Sequence, residues 1–326
     1  MKKPLIILTM FFSLLFVTPF LWSKASDLVP FTQVFASSDY NAPESFRLLL
    51  TESGEVIELN AADYLTGCLY AQISPGYHIE ALKAQAAAAY TYAVRVYLNN
   101  KSNPGESSAD ADISDDSVTC QPYFTKAQAE EYYGAEYDIY YDNIRKAAEY
   151  GAGRIITYDG EPVYAVYHSV SAGATNTARY VWGVDFPYLK SVPSDWDREF
   201  VNFVCTNEIS EDNMRRLLLE FDPDIIMPLD YSRWFSEYAA DENGYVAAVS
   251  ARNLTVSGGD VWRALNLRSA AFKIDYTGGV FVVTTKGHGH GVGLSQFGAD
   301  FMARKGYSCE EILHYYYTGV TILNCV

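Results

Sequence analysis

Between residues 79 and 98, Ala81, Leu82, Ala84, Gln85, Ala88, Ala89 and Tyr92 recur at the spacing of one α-helical face. This predicts a helix over 79–98 whose small side chains let a neighbouring element approach closely. Before it, residues 46–50 and 55–59 flank Ser53-Gly54 and read as a hairpin. Asn60 then stands as the N-cap of a short helix over 61–65. Residues 126–150 read as helical and rich in Tyr. A second hairpin is expected from 154–158 and 163–167 around Asp159-Gly160. Ser210, with Asn213 three residues on, opens a charged helix that runs to Phe221. Several short alternating runs over 245–285 suggest strands, and residues 310–317 form a last helix ended by Gly319. There is no internal repeat. The order is mixed rather than a succession of βαβ units, which favours an α+β fold over a doubly wound sheet.

The first residues stand apart. Lys2 and Lys3 precede residues 4–22, which carry no charge. The length fits a single membrane span, and the two lysines would hold the N-terminus inside. Ser23-Lys24-Ala25 has small residues at the spacing of a signal cleavage site, so a secreted form stays open. Either reading places the rest outside the cytoplasm. The expected organisation is an anchor or signal over 1–25, a polar tether over 26–45 and one domain over 46–322. Disulfides are permitted in that compartment, yet the five cysteines (Cys68, Cys120, Cys205, Cys309, Cys325) are odd in number and widely spaced. Isolated buried thiols are the favoured reading, with Cys309–Cys325 the one pair kept open. With 24 Lys+Arg against 40 Asp+Glu the net charge is −16, which disfavours a global grip on nucleic acid or an anionic membrane face. Tyr is abundant at 27; its flat face and hydroxyl suit a sugar ligand, and equally an amphipathic core.

Two stretches hold the candidate chemistry. Tyr167-His168-Ser169-Val170-Ser171-Ala172-Gly173 follows a predicted strand and offers donors and acceptors to a ligand. Gly287-His288-Gly289-His290-Gly291-Val292-Gly293-Leu294-Ser295-Gln296 alternates glycine with histidine. Its glycines permit close backbone approach or positive φ, and in an extended segment both imidazoles would share a face. A metal would need further ligands, and spacing identifies none. The glycines do not open a nucleotide-binding βαβ unit. A Ser-His-Asp hydrolase is disfavoured because G-x-S-x-G is missing and adjacent Ser169 and His168 would face opposite ways on a strand. Residues 99–118 read as a solvated acidic loop without the ligand spacing of an EF-hand.

Four ordered blocks, residues 64–94, 119–123, 163–197 and 287–319, together resemble the stage II sporulation protein D family, also called the SpoIID/LytB domain. A weaker match runs over 254–272. The resemblance implies an α+β domain with a mixed core and side lobes flanking a glycan-binding groove. It implies action on peptidoglycan outside the membrane during forespore engulfment, alongside a stage II sporulation protein P-like amidase/endopeptidase and a membrane scaffold. The implied activity is lytic transglycosylation of the MurNAc–GlcNAc bond in strands stripped of stem peptides. The implied groove positions are His168, Ser169 and His290 for catalysis, and Gln85, Tyr92, Tyr167, Ser171, His288 and Gln296 for the substrate. No cofactor is implied.

The family places its general acid, a Glu, in a G-V-V-x-x-E-M-P type stretch. Here that stretch is residues 67–74 and the position of the acid is Gln72. A zinc site known in some members uses a Cys and a His whose positions here are Ser114 and Thr119, so no metal is expected. The family's A-A-R-T-Y has Tyr90 in place of Arg. The expectation is a protein that binds denuded glycan with turnover weak or lost. Two alternatives stand beside it: an active transglycosylase using Glu80 or Asp63, and a scaffold for the amidase partner.

Overall fold

The computed structural model describes residues 42–102, 111–117, 120–221, 226, 230–251 and 254–325. The expected membrane segment, most of the tether, residues 103–110 and 118 of the acidic loop, and Thr119 lie outside the described residues. Among the described residues no helix is long and apolar enough to cross a membrane. The chain forms two compact units, residues 1–166 with 299–326, and residues 167–298.

The first unit takes β1 (Ser45–Leu50), β2 (Glu55–Asn60), α1 (Ala61–Gln72), α2 (Ile79–Ser102), β3 (Ile113–Ser114), α3 (Lys126–Tyr133), α4 (Glu136–Gly151), β4 (Arg154–Tyr158) and β5 (Glu161–Pro162). The second takes β6 (Tyr167–His168), α5 (Ala178–Trp182), β7 (Val204–Ser210), α6 (Glu211–Phe221), β8 (Ser236–Ala240), β9 (Val246–Ala251), β10 (Leu254–Ser257), α7 (Gly258–Ala264), β11 (Ala271–Thr277), β12 (Val280–Lys286) and β13 (Leu294–Ser295). Helix α8 (Gln296–Arg304) starts in the second unit and ends in the first, where α9 (Cys309–Tyr316) and β14 (Thr321–Asn324) close the chain. The fold is mixed α+β.

In the first unit, α2 carries buried residues from Ala81 to Val94 and packs most heavily on α4. Its small residues are why. A Cβ added at Gly151 of α4 would lie 2.6 Å from the Ala86 Cβ and 2.7 Å from the Ala86 carbonyl carbon. The β1–β2 hairpin pairs Leu48 with Ile57, β3 joins β1 in parallel, and β4 pairs with both β14 and β5. Phe46, Tyr64, Leu69, Leu82 and Ile144 lie in the core between these elements. The tyrosine excess is largely used here. Tyr70, Tyr90, Tyr133 and Tyr317 bury their rings, wholly or in large part, and donate their hydroxyls to the carbonyls of Tyr137, Pro43, Tyr70 and Val166.

In the second unit, β11, β12 and β7 form an antiparallel sheet, and β8, β9 and β10 form another. Two-residue strands β6 and β13 pair in parallel, Leu294 with Tyr167 and Ser295 with His168.

Several elements differ from the sequence reading. Asn60 does cap a helix, accepting the Asp63 N–H at 2.9 Å. That helix runs to Gln72 rather than Leu65 and stops before Ser74-Pro75, where the ring of proline excludes helical geometry from its predecessor. The single helix expected over 126–150 is two helices, because Gly134 adopts φ +53° between them. The Asp159-Gly160 turn has φ of 50° and 82°, as a two-residue hairpin requires. Its second strand is Glu161–Pro162 and not 163–167. Val163 N–H still reaches Ile156 O at 3.0 Å, but Val166 N–H then turns back onto Tyr164 O at 2.9 Å and ends the ladder. Within 245–285, Ser257 accepts the Asp260 N–H at 3.0 Å and opens α7 among the expected strands. Cys309 and Cys325 are both free thiols, the first buried and the second exposed.

Gly151→Val should therefore cost about 1–3 kcal/mol, because the added atoms meet the backbone of α2 rather than a flexible side chain. A urea midpoint equal to that of the wild type would show that α2 and α4 can part without loss.

Candidate functional site

Within the first unit, Gln72 is the last residue of α1 and is 7% exposed. Its Nε2 donates to the Pro122 carbonyl at 2.8 Å. The segment that carries Pro122 is seated against α1 at Gly67: a Cβ there would lie 2.1 Å from the Tyr123 ring, and Phe124 N–H donates to Gly67 O at 3.2 Å. Gln121 continues the link by donating to Ala89 O of α2 at 3.0 Å. Gln85 and Tyr92 are buried along α2.

The two carboxylates nearest in sequence are already engaged. Glu80 accepts from Lys83 Nζ at 2.7 Å and from the Cys309 N–H at the start of α9 at 2.9 Å. Desolvation pushes its pKa up, but these two bonds and the charges of Lys83 and His78 outweigh it and hold the carboxyl below its usual value. Asp63 pairs with Arg145 and also accepts from Asn60 Nδ2 at 2.6 Å. Carboxylates committed to cations in this way are poorly placed to donate a proton to a substrate.

Within the second unit, the glycine–histidine segment is not a regular strand. Gly287, Gly289, Gly291 and Gly293 all have positive φ, between 72° and 101°. Each of the first three also packs where a side chain would not fit. An added Cβ would stand 2.6 Å from Ser171 O at Gly287, 3.0 Å from His168 Cβ at Gly289 and 2.3 Å from the Tyr245 hydroxyl at Gly291. The strand-like alternation expected of His288 and His290 therefore does not apply; each imidazole is placed by its own turn.

All three histidines are buried and neutral. His168 Nδ1–H donates to Val292 O at 3.1 Å, which leaves Nε2 as a bare lone pair with no hydrogen-bond partner. Its ring lies 5.8 Å from that of His290. His290 Nδ1 accepts the Val292 N–H at 3.0 Å, and its ring meets Trp182 at 5.2 Å. Burial holds His168 well below the ordinary histidine range, with the nearby His290 adding and the Val292 bond opposing. Burial lowers His290 to about 4 against a bond to the Tyr167 backbone, and burial with the Arg268 charge lowers His288 to about 4. His168 Nε2 can thus accept a hydrogen bond at neutral pH while remaining a weak base. Ser171 and Gln296 are also buried, and Tyr167 and Ser169 are partly exposed.

The sequence reading missed Asp197, which is fully buried in a 3₁₀ turn over Asp195–Glu199. Its Oδ2 accepts the Ser171 N–H at 2.9 Å and its Oδ1 accepts the Ser295 hydroxyl at 3.0 Å. Burial raises its pKa to about 6, although hydrogen bonds from Ser171, Ser295 and Ser194 pull the other way. That is the range of a general acid, but with no exposed surface Asp197 reaches no substrate. An acid between Trp196 and Arg198 carries no sequence signal of burial; only the polar residues Ser171, Ser194 and Ser295, far apart in the chain, mark its cage.

Comparison with known proteins gives the class first: the SpoIID family model, described as stage II sporulation protein, matches residues 51–158. The chain is 33% identical over 282 residues to stage II sporulation protein D of Bacillus subtilis, spanning 86% of this chain and 79% of that one. It is 34% identical over 283 residues to the protein of the same name from Bacillus amyloliquefaciens, with the same shares of each chain. The chain belongs to the stage II sporulation protein D family. It is also 23% identical over 318 residues to the amidase enhancer of Bacillus subtilis, spanning 79% of this chain and 40% of that one.

The buried histidines make stability fall in acid. A depressed pKa contributes stability that is present above about 6.5 and lost as pH falls towards about 4 for His288 and His290. Asp197 has the opposite sign: its raised pKa favours the fold below about 3.8, and that advantage is lost as pH rises through about 6. His288 and His290 together outweigh one aspartate, and His168 acts in the same direction. Unfolding free energy should drop between pH 6.5 and 4 by several kcal/mol, on the order of 3 each for His288 and His290 at 1.36 kcal/mol per pKa unit, offset in part by Asp197. Urea melts showing constant stability over that interval would mean the imidazoles are solvated.

Proposed function

We propose that this protein acts on peptidoglycan outside the cytoplasm during sporulation, holding denuded glycan strands with lytic transglycosylase turnover weak or lost. The observation that carries this reading is Gln72: at the position of the family's acid stands an amide that donates to Pro122 O. Lytic transglycosylation needs one group that protonates the leaving glycosidic oxygen and then, as its conjugate base, takes the proton from the MurNAc 6-hydroxyl. No water attacks, so a second carboxylate is not required. An amide can pair with sugar hydroxyls as donor and acceptor, but it cannot supply that proton. Glu80 and Asp63, the nearest substitutes, are committed to Lys83 with the α9 terminus and to Arg145.

The uncharged residues 4–22 after Lys2 and Lys3 support a retained anchor with the folded units outside. N-terminal sequencing of the mature protein should find that segment in place; a start near Ala25 or Ser26 would make the protein secreted. The likeness to an amidase enhancer favours a second reading, in which the chain holds or stimulates a cell-wall amidase such as a stage II sporulation protein P-like partner. In that reading wild type binds the amidase and raises its rate, and glycan binding is incidental.

The test of catalysis is the release of 1,6-anhydro ends from denuded strands by wild type, Gln72→Glu and Gln72→Ala. A Glu at 72 would face the Pro122 carbonyl, which repels a carboxylate and accepts from a carboxylic acid. Its pKa should be pushed up, as a general acid requires. Wild type should release almost nothing, and Gln72→Glu should gain up to about 10²–10⁴-fold. Strong cleavage by wild type, unchanged in Gln72→Ala, would end the reading and return the search to Glu80 and Asp63.

A further inference from the structure

We propose that Asp197 is the positioning residue of the second unit's ligand-facing segments: its carboxylate ties Ser171 to Ser295 and so fixes the partly exposed Ser169 for a glycan hydroxyl. This rests on the glycan-binding reading above. The geometry is that of a four-donor clamp. Asp197 accepts the Ser171 N–H and the Ser295 hydroxyl, and the hydroxyls of Ser171 and Ser194 complete the cage.

Each donor also fixes the chain beside it. Ser171 Oγ accepts the Gly173 N–H at 3.2 Å, and Gly173 holds φ at +109°. Ser194 N–H donates to Gly173 O at 2.9 Å. Ser295 Oγ accepts the Gly298 N–H at 3.2 Å and so caps the start of α8, whose first residue is Gln296. Phe297 N–H donates to Ser169 O at 3.0 Å, which brings the two segments together two residues away from each serine. Ser169 is the partly exposed residue among them.

A buried carboxylate is a poor device for stability, since apolar side chains of equal volume serve as well or better. It is a good device for geometry, because four donors must converge on two oxygens. Asp197 touches no ligand itself and acts through Ser171 and Ser295.

The clamp has a titration of its own that separates it from a purely structural group. The groups facing Asp197 are the three serines and Tyr245, whose phenol burial keeps neutral. On its own turn, Arg198 is paired with Asp195 at 3.1 Å. Burial lowers His288 and His290 to about 4 and holds His168 well below the ordinary histidine range, so none of them gives a step near pH 6.

The experiment measures binding of the full chain to purified denuded glycan strands from pH 5 to 7.5, for wild type, Asp197→Asn and Asp197→Ala, with urea melts alongside. Asp197→Ala should weaken binding about tenfold, the loss of one or two charge-assisted hydrogen bonds. Wild-type binding should weaken at least about threefold below pH 6, and Asp197→Asn should bind weakly with no such step. Wild type that binds equally at all pH values, with both variants matching it, overturns the inference and leaves the glycan reading intact. Wild type that binds no glycan at any pH removes the glycan reading, and this inference with it. Should both variants melt without cooperativity, the wild-type profile decides: a step near pH 6 supports the clamp and a flat profile overturns it.

Discussion

The close approach of α2 and α4 at Ala86 and Gly151 is the constraint on which the first unit depends. Only alanine and glycine allow two helix backbones so near. With α2 buried along most of its length, the polar groups it carries inside must be matched there. Thr91 shows how: its hydroxyl donates to Ala87 O at 2.8 Å and accepts the Ile156 N–H of β4 at 2.9 Å. One side chain thus fixes a strand to the central helix. The link from Ala89 through Gln121 to Pro122 then carries the same frame to Gln72. The position of the amide follows from helix packing and not from a local motif.

What was legible in the sequence follows from range. Asn60, Ser53-Gly54, Asp159-Gly160 and the alanine period of α2 act over a few residues, and each gave an element of the stated kind. The errors lie where a single residue or a distant partner decides. Gly134 breaks a helix that periodicity alone would continue. The second hairpin strand ends early because the chain bends back at Tyr164–Val166, and that bend leaves no mark on an apolar run.

The second unit was the harder half to read because its order comes from contacts across long stretches of chain. The glycines between 287 and 293 were legible as places of close approach, and so they are. Their partners, Ser171, His168 and Tyr245, were not, since nothing local names them. The same holds for Asp197. A buried carboxylate is usually suspected from a neighbouring cation, and here three serines and one backbone N–H take that role. Neutral donors pull the carboxyl down less than a cation would, so burial leaves its pKa raised to about 6.

In the proposed reading, an amide at Gln72 and a phenol at Tyr90 are physically consistent with each other. An acid that must change protonation state during a reaction needs charges arranged to tune it, and an arginine is one such charge. An amide needs none. At position 90 the ring is buried, lies edge-on to Phe46 at 6.1 Å between centroids, and donates its hydroxyl to Pro43 O at 3.0 Å. A guanidinium in that buried position would have five N–H donors to satisfy where the tyrosine has one. With a neutral amide at 72, the proposed reading leaves no electrostatic reason for an arginine, and packing decides the site. Tyrosine there adds apolar area to the core beside β1 and satisfies its one donor. Tyr90 thus serves the packing beside β1, as the Gln72 amide serves the seating of Pro122 against α1.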